Sequence, residues 1–405
     1  MEWYHYIALV AIFSQFLFLF QAYNNYRYTL VKHKKERLWH GQRVVLIVPC
    51  KGLDPNFQNN ISSLYNQDYD NYILWFVVAD ESDPAYSELC KLKNQLSETS
   101  KAQDVKVYIA GKSRSCSQKI HNLLYCYERI GNDIDVMAFA DSDICVHSNW
   151  LSHLVYPLRQ PKNGVATGYR WFIPKKNNLA TLTLSSVNAK IAQLLGNTRF
   201  NHAWGGSMAV RVDVFRSLGI DKIWPKVLSD DLSLSCAAKQ AGMKVAFVPA
   251  CLVASHESTT WRKLLEFGRR QFLITRVYAP GTWWFGLCSN LYSVLGIWGV
   301  AGLVIYAAVV HHKVPGLFIA VPIVFFINQL IGAILRQRMA NRLFHDEREA
   351  LVAACITDIL FCCIWPALLL FFIIISAFGR TIVWRQIRYK LLAPTEIIIK
   401  GARHN

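Results

Sequence analysis

Residues 4–23, YHYIALVAIFSQFLFLFQAY, contain no Asp, Glu, Lys or Arg. A run of that length crosses a bilayer as one helix, and Trp3, Tyr4, Tyr6, Tyr23 and Tyr26 supply aromatics suited to the two interfaces. A cleaved signal peptide is the competing reading. The stretch has no basic segment before it and no small-residue cleavage site, so an anchor is favoured. Arg27, Lys32, Lys34, Lys35 and Arg37 follow at once, which puts the next domain in the cytoplasm and the N-terminus outside. After Pro280 come three more apolar stretches, at about 283–310, 315–335 and 350–378, the first and last longer than one perpendicular span requires. The basic stretch RQRMANRLFHDERE reads as a cytoplasmic link, and the short His311-His312-Lys313 link can sit outside. That count sends the tail GRTIVWRQIRYKLL outward against its own positive charge, unless the last stretch doubles back near Pro366, where a helix loses a backbone hydrogen bond. The sequence leaves both topologies open.

Lys and Arg number 44 against 27 Asp and Glu, a net charge of +17 that would suit a nucleic-acid binder. The basic residues crowd beside apolar spans, however, which is the mark of the cytoplasmic flanks of membrane helices. The eleven cysteines are odd in number and scattered, with no C-x-x-C pair, so a reduced cytosolic domain fits better than a disulfide framework. The chain divides into an anchor (1–26), a cytoplasmic catalytic domain (27–255), an amphipathic interfacial helix (256–281) and a C-terminal membrane region with a basic tail (282–405).

Within the second of these, RVVLIVPCKGLDPN, YILWFVVADESDPAY, VKVYIAG and DVMAFADSDICV each hold a short apolar run ended by turn residues, with helical segments between them. Strand alternating with helix predicts an α/β domain with a mostly parallel, doubly covered sheet. Asp80 and the Asp141-Ser142-Asp143 triplet then stand at C-terminal strand ends, where open α/β sheets bind ligands. Two carboxylates on alternate positions can share one hard cation, Mg²⁺ or Mn²⁺, leaving its remaining positions to substrate phosphates. An Asp-rich turn is the bland alternative for any isolated D-x-D. Asp80 can accept hydrogen bonds from a nucleobase or ribose. Lys119 precedes a helix and can reach phosphate, and Asn122, one turn on, can bond sugar or ribose.

In VLSDDLSLSCAAKQAGMKVAFVP, Asp230 or Asp231 caps a helix that ends at Gly242. One carboxylate suffices for the cap, so the other is free to act. A base that takes the proton of an attacking hydroxyl is what direct displacement requires, and Asp231 is assigned that role with Asp230 as its structural neighbour. Gly205-Gly206 permits close backbone approach to a ligand. Trp204 can stack on that ligand or fill core, and His202 and His256 are possible site residues. TTWRKLLEFGRRQFLITRVY is amphipathic, with Trp261, Leu264, Leu265, Phe272 and Leu273 among bases, and is expected in the membrane surface. LATLTLSSVNAKIAQLLG, at 179–196, is weakly polar and a candidate wall for the route of a lipid hydroxyl.

Taken in order, these segments resemble the GT-A-fold, family-2 glycosyltransferases, and within them the ceramide glucosyltransferases and their bacterial lipid-glycosylating relatives. PCKGLDPNFQNNISSL is similar to the opening strand and helix of that group, VADESDPAY to its first-aspartate segment, SQKIHNLL to its N-P-K-x-N-N-L segment, FADSDICV to its D-x-D segment, SDDLSLS to its catalytic-base segment and TIVWRQIRYKL to its W-R-x-x-R-Y-x-L ending. The resemblance runs over most of the chain. It implies a UDP-sugar donor, a membrane lipid acceptor and no nucleic acid beyond the donor nucleotide. It assigns Asp80 to the nucleotide, Asp141 and Asp143 to the metal-diphosphate, Gly206 to the neighbourhood of donor sugar and acceptor, and Asp231 to the base. Glucose onto ceramide is the first expectation, with a hopanoid-type or other lipid acceptor close behind; a processive polysaccharide synthase and a catalytically silent scaffold are the alternatives. One departure stands out. The Q/R-x-x-R-W motif of the group falls on Phe267, Gly268, Arg269, Arg270 and Gln271, so its arginine survives as Arg270 and its tryptophan does not. Loss of that tryptophan weighs against chain elongation, while Arg269 or Arg270 can still hold a departing diphosphate.

Overall fold

The structure, a computed structural model, describes residues 3–35, 37, 41–311 and 316–402. Its centre is a seven-stranded sheet in the order β3-β2-β1-β4-β6-β5-β7. The strands are β1 (Val44–Pro49), β2 (Tyr72–Val78), β3 (Val105–Ile109), β4 (Val136–Ala140), β5 (Asn163–Pro174), β6 (Ser207–Arg211) and β7 (Lys244–Glu257). All neighbours pair in parallel except at β6, which runs against both β4 and β5. This is the mostly parallel α/β sheet that the sequence predicts. The near-continuous apolar character of β1 follows from burial on both faces: Val44, Leu46 and Val48 pack into one core cluster, Val45 and Ile47 into the other.

Helices α2 (Phe57–Tyr65), α3 (Pro84–Leu96), α4 (Gln118–Tyr127) and α5 (Trp150–Val155) follow β1 to β4 in turn, after the N-terminal α1 (Trp3–His33). Beyond β5 lies α6 (Leu179–Ala192), and between β6 and β7 come α7 (Val212–Ser217), α8 (Ile220–Ile223) and α9 (Asp230–Gln240). Parallel pairing sets the C-terminal ends of β1, β2 and β4 side by side, Val44 being in register with both Tyr72 and Val136. The loops that carry Asp54, Asp80 and Asp141 therefore emerge on one edge. Helix α6 is buried on nearly all sides, with Ser185 Oγ donating to Phe172 O (2.7 Å), so it braces β5 and does not present the open wall expected of it.

The remaining helices are α10 (Trp261–Tyr278), α11 (Pro280–Val294), which passes through a π turn at Leu295–Gly299 into α12 (Val300–His311), then α13 (Gly316–Leu343), α14 (Arg348–Leu360) and α15 (Trp365–Ala377). Three helices, Trp3–His33, Pro280–Val310 and Gly316–Leu343, are long and apolar enough to cross a membrane. The sequence expectation fails in one place here. RQRMANRL is the last part of α13 and not a link, because Arg336 is buried and paired with Asp358 at 2.5 and 2.6 Å. The 350–378 stretch is not one straight helix: α14 and α15 meet at 89°, a bend of the kind the sequence leaves open near Pro366. Pro366 lies in the first turn of α15, where a missing N–H costs little, and the chain turns just before it.

That turn decides the fate of the tail. Strands β8 (Thr381–Trp384), β9 (Ile387–Ala393) and β10 (Glu396–Ala402) form a small antiparallel sheet, and Ile382, Tyr389 and Leu391 are buried in the same core cluster as Val45 and Ile47. The tail thus lies with the catalytic sheet, which is the doubled-back alternative. The link at His311-His312-Lys313 falls largely outside the described residues.

Candidate active site

The edge formed by the β1, β2 and β4 loops is roofed by the Trp204–Gly206 turn and by the start of α9. Ala140 is in register with Ser207 of the reversed strand β6, which brings Gly206 O to the amide of Asp141 (3.4 Å). A Cβ at Gly206 would stand 2.7 Å from Asp141 Oδ2 and closer still to the Trp204 ring, and one at Gly205 would crowd Asp230 and stand 2.7 Å from Lys119 Nζ. Only glycine lets the turn approach the acids this closely.

Lys119 sits at the middle. Ser117 caps α4 by accepting from Ile120 N, which sets Lys119 in the first turn facing the edge. Its Nζ lies 2.8 Å from Asp141 Oδ1, 3.2 Å from Asp230 Oδ2 and 3.1 Å from Gly205 O. Burial works against the ammonium, but Asp141 and Asp230 outweigh it and push its pKa up. Asp141 is likewise opposed by burial and still held below the usual carboxylate range by Lys119 and Arg170. Asp230, the most buried acid of this site, goes the other way. Burial dominates over the pull of Lys119, Asp231 and Asp141 add like charge, and its carboxyl is raised to about 6.

Neither aspartate caps α9, contrary to the sequence reading; Ser229 does, accepting from Leu232 N. Asp231 is half-buried, with Oδ1 taking the Ser229 hydroxyl (2.5 Å) and Leu232 N (2.7 Å) and Oδ2 taking Gly205 N (3.1 Å). Those contacts fix its orientation.

Arg170, on β5, went unnoticed in the sequence. It reaches Asp141 Oδ2 (3.5 Å) and Asp143 Oδ2 (3.7 Å) and lies over the Trp204 ring at 4.5 Å. The G-Y-R-W-F run offers no signal beyond a charge inside an otherwise apolar strand. Asp143 Oδ1 is buried without a hydrogen-bond partner. Burial pushes the Asp143 carboxyl up against the pull of Arg170. An unpaired carboxylate oxygen beside a second carboxylate fits a hard cation. Among the described residues there is no group of three or more His, Cys, Asp or Glu that could hold a metal ion, so an ion on this pair would need phosphate and water for its remaining positions.

The remaining candidates divide. Asp80 emerges two strands away, separated from β4 by β1, and Ser82 and then Lys112 hold its exposed carboxyl below the usual range. Asn122 is buried behind the edge, its amide donating to Val77 O (3.3 Å) and its carbonyl accepting from Gln118 (2.8 Å). Arg269 donates to Thr381 O and Phe378 O, stapling α10 to the tail. Arg270 makes neither bond, and burial together with the charges of Arg170 and Arg385 pushes its guanidinium pKa down. His202 bonds Thr282 Oγ1 (2.8 Å) and His256 pairs with Glu347 (2.8 Å), so neither joins the acids.

The chain belongs to a glycosyltransferase family. The sequence model of glycosyl transferase family 21 matches residues 4–397, a family other than the family 2 its motifs resemble. Among solved structures, the mannosyltransferase PcManGT from Pyrobaculum calidifontis, in complex with GDP-Man and Mn²⁺, is similar at a TM-score of 0.45 and 15% identity, over 92% of this chain and 97% of that one. Glucosyl-3-phosphoglycerate synthase from Mycobacterium tuberculosis, in complex with Mn²⁺, UDP and glucosyl-3-phosphoglycerate, is similar at 0.36 and 13% identity, over 58% of this chain and 79% of that one.

Proposed function

We propose that the protein is an inverting glycosyltransferase that moves a hexose, glucose foremost, from a UDP-sugar to the hydroxyl of a membrane lipid such as ceramide, with the catalytic domain facing the cytoplasm. The observation that carries this reading is the meeting of Asp141 with the Asp230-Asp231 turn across Lys119 and Gly205-Gly206, at hydrogen-bond distances, with Asp143 tied to Asp141 through Arg170. One side of the site supplies charge for a diphosphate; the other supplies a carboxylate for a proton. Helix α10, whose Leu264 and Phe272 pack against Trp365, Leu369 and Phe372 of α15, brings an amphipathic face from the apolar helices towards that site and supports a lipid acceptor.

In this reading the lipid hydroxyl oxygen forms the new bond to the anomeric carbon as the bond from that carbon to the diphosphate oxygen breaks. The hydroxyl proton passes to Asp231, and the electron pair leaves with the diphosphate. Asp231 is poised by the Ser229 hydroxyl and two backbone N–H groups, which hold one oxygen pattern before the proton arrives. Mn²⁺ or Mg²⁺, held by Asp141 and Asp143, would neutralise the departing diphosphate. Arg270 adds a guanidinium suited to phosphate oxygens, and Lys119 keeps the acids of the two halves at a fixed separation. Asp80, at the far side of the β1 loop, is the nucleoside contact, and Asn122 supports that wall from behind.

The test uses purified protein in detergent with Mn²⁺ or Mg²⁺, a panel of UDP-sugars and a total lipid extract, following UDP release and lipid mass. A single-hexose shift on one lipid class is expected. A long polymer would overturn the single-transfer reading, and release of no nucleotide from any sugar would overturn the donor.

A further inference from the structure

The turn that joins β8 to β9 has two residues, Arg385 and Gln386, both in left-handed conformation at φ 47° and 69°. Two-residue hairpins of this kind favour Asn-Gly, because a Cβ is poorly tolerated at either position. A long cationic side chain at such a tip is a strained choice, and strain of this sort gathers at ligand sites. Both terminal nitrogens of Arg385 bond Asp54, at 2.8 and 3.2 Å, while Lys51 Nζ donates to Arg385 O (2.9 Å). Asp54 Oδ2 also accepts from the hydroxyl of Ser142, the residue between Asp141 and Asp143 (2.8 Å). The guanidinium thus ends one side chain away from the acid pair. It is the outer member of its ion pair, 45% exposed against 10% for Asp54.

A strut for the tail would explain the ion pair but not the strained tip. The small sheet is already docked through Ile382, Tyr389 and Leu391, all buried, and through the bonds of Arg269 and Arg276 to residues 377–381. We infer that Arg385 is a ligand of the donor diphosphate, carried over the site by the C-terminal hairpin, held by Asp54 while the site is empty and passed from carboxylate to phosphate when the nucleotide sugar binds. A guanidinium fork accepts either partner in the same planar, two-bond fashion, so the exchange needs rotation of one side chain and no movement of the sheet. Gly379, at φ 74°, and the short Phe378–Arg380 connection tie this roof directly to α15. The inference rests on the nucleotide-sugar reading and adds to it a diphosphate ligand from the far end of the chain.

The experiment is calorimetric titration of the full-length protein in detergent and Mn²⁺ with UDP and with UMP. Arg385→Ala should weaken UDP at least about tenfold and leave UMP nearly unchanged, the range expected for a lost charge-assisted bond. Arg385→Lys, which keeps the charge without the fork, should fall between. Asp54→Asn keeps the hydrogen bond from Ser142 and removes the competing charge, so UDP should bind as well as in the parent or more tightly. A strut predicts the opposite pattern: Asp54→Asn and Arg385→Ala would weaken UDP and UMP alike. That result, or unchanged UDP binding by Arg385→Ala, would overturn the inference and leave the donor reading standing. A parent protein that does not bind UDP would overturn the donor reading itself. Should Arg385→Ala not fold, the Lys and Asn variants still give the opposed signs.

Discussion

Removing the Lys119 ammonium leaves Asp141 and Asp230, now 2.8 and 3.2 Å from it, with no cation between them. A buried ion pair adds little net stability while intact, yet losing one partner strands the other at roughly 3–5 kcal/mol. Lys119→Met should therefore lower the thermal midpoint in detergent by more than any other single change at the site. Asp230 has the reverse sensitivity. Burial raises its carboxyl to about 6, so between its ordinary value and 6 the folded chain binds more protons than the unfolded one, and stability falls as pH rises across that window. A gap of about two pH units caps the effect at roughly 3 kcal/mol. The thermal midpoint of Asp230→Asn relative to the parent should rise between about pH 4 and pH 6.5 and level off above, as the carboxyl finishes ionising. Asp231→Asn tests chemistry. It keeps one oxygen for the Ser229 hydroxyl and Leu232 N, sets its amide NH2 opposite Gly205 N and cannot take a proton, so transfer should fall by about 10²–10⁴-fold while calorimetry finds UDP binding intact.

Among elements, α10 and α15 meet where Gly268 faces Phe372, and a Cβ at Gly268 would lie 2.7 Å from that ring. Gly268→Leu should wedge the two helices apart at about 1–3 kcal/mol, lowering both the thermal midpoint and lipid transfer while UDP affinity holds. The close contact also bears on what the sequence could reveal. Strands β1, β2 and β4 were legible because parallel burial makes each a continuous apolar run, and Asp80 and Asp141 followed from where those runs stop. The amphipathic α10 was legible from its pattern. The α14–α15 break was legible only as one of two alternatives, a turn near Pro366 or a straight span, since the two share one composition and only packing against α10 and the core distinguishes them. Arg170 and Arg385 were missed for a related reason: each lies far along the chain from the acids it meets, and a lone charge in a strand or a tail carries no spacing signal. Ser229 lost out to its acidic neighbours as the cap because all three residues favour that position.

For the molecule as a whole, α14 and α15 meet at 89° and the tail packs into the core of the seven-stranded sheet, which predicts that both lie on one side of the membrane. A membrane-impermeant thiol reagent should label exposed Cys145 and a cysteine added after residue 402 from the same face of sealed vesicles, with a cysteine added before Trp3 labelled from the other. Labelling of the two catalytic-side positions from opposite faces would refute the topology. The same turn has a consequence for biosynthesis. Ile382, Tyr389 and Leu391 complete a core cluster whose first members are Val45 and Ile47, so the catalytic domain is unfinished when its own stretch of chain leaves the ribosome. It must wait, partly open, while every intervening helix from α10 to α15 is made. Contacts of such long sequence separation form late. A chain stalled or cut before β8 would thus carry Asp141, Asp143, Asp230 and Asp231 with a gap in their supporting core, and completion of the helices between them and the tail becomes a precondition for a closed site.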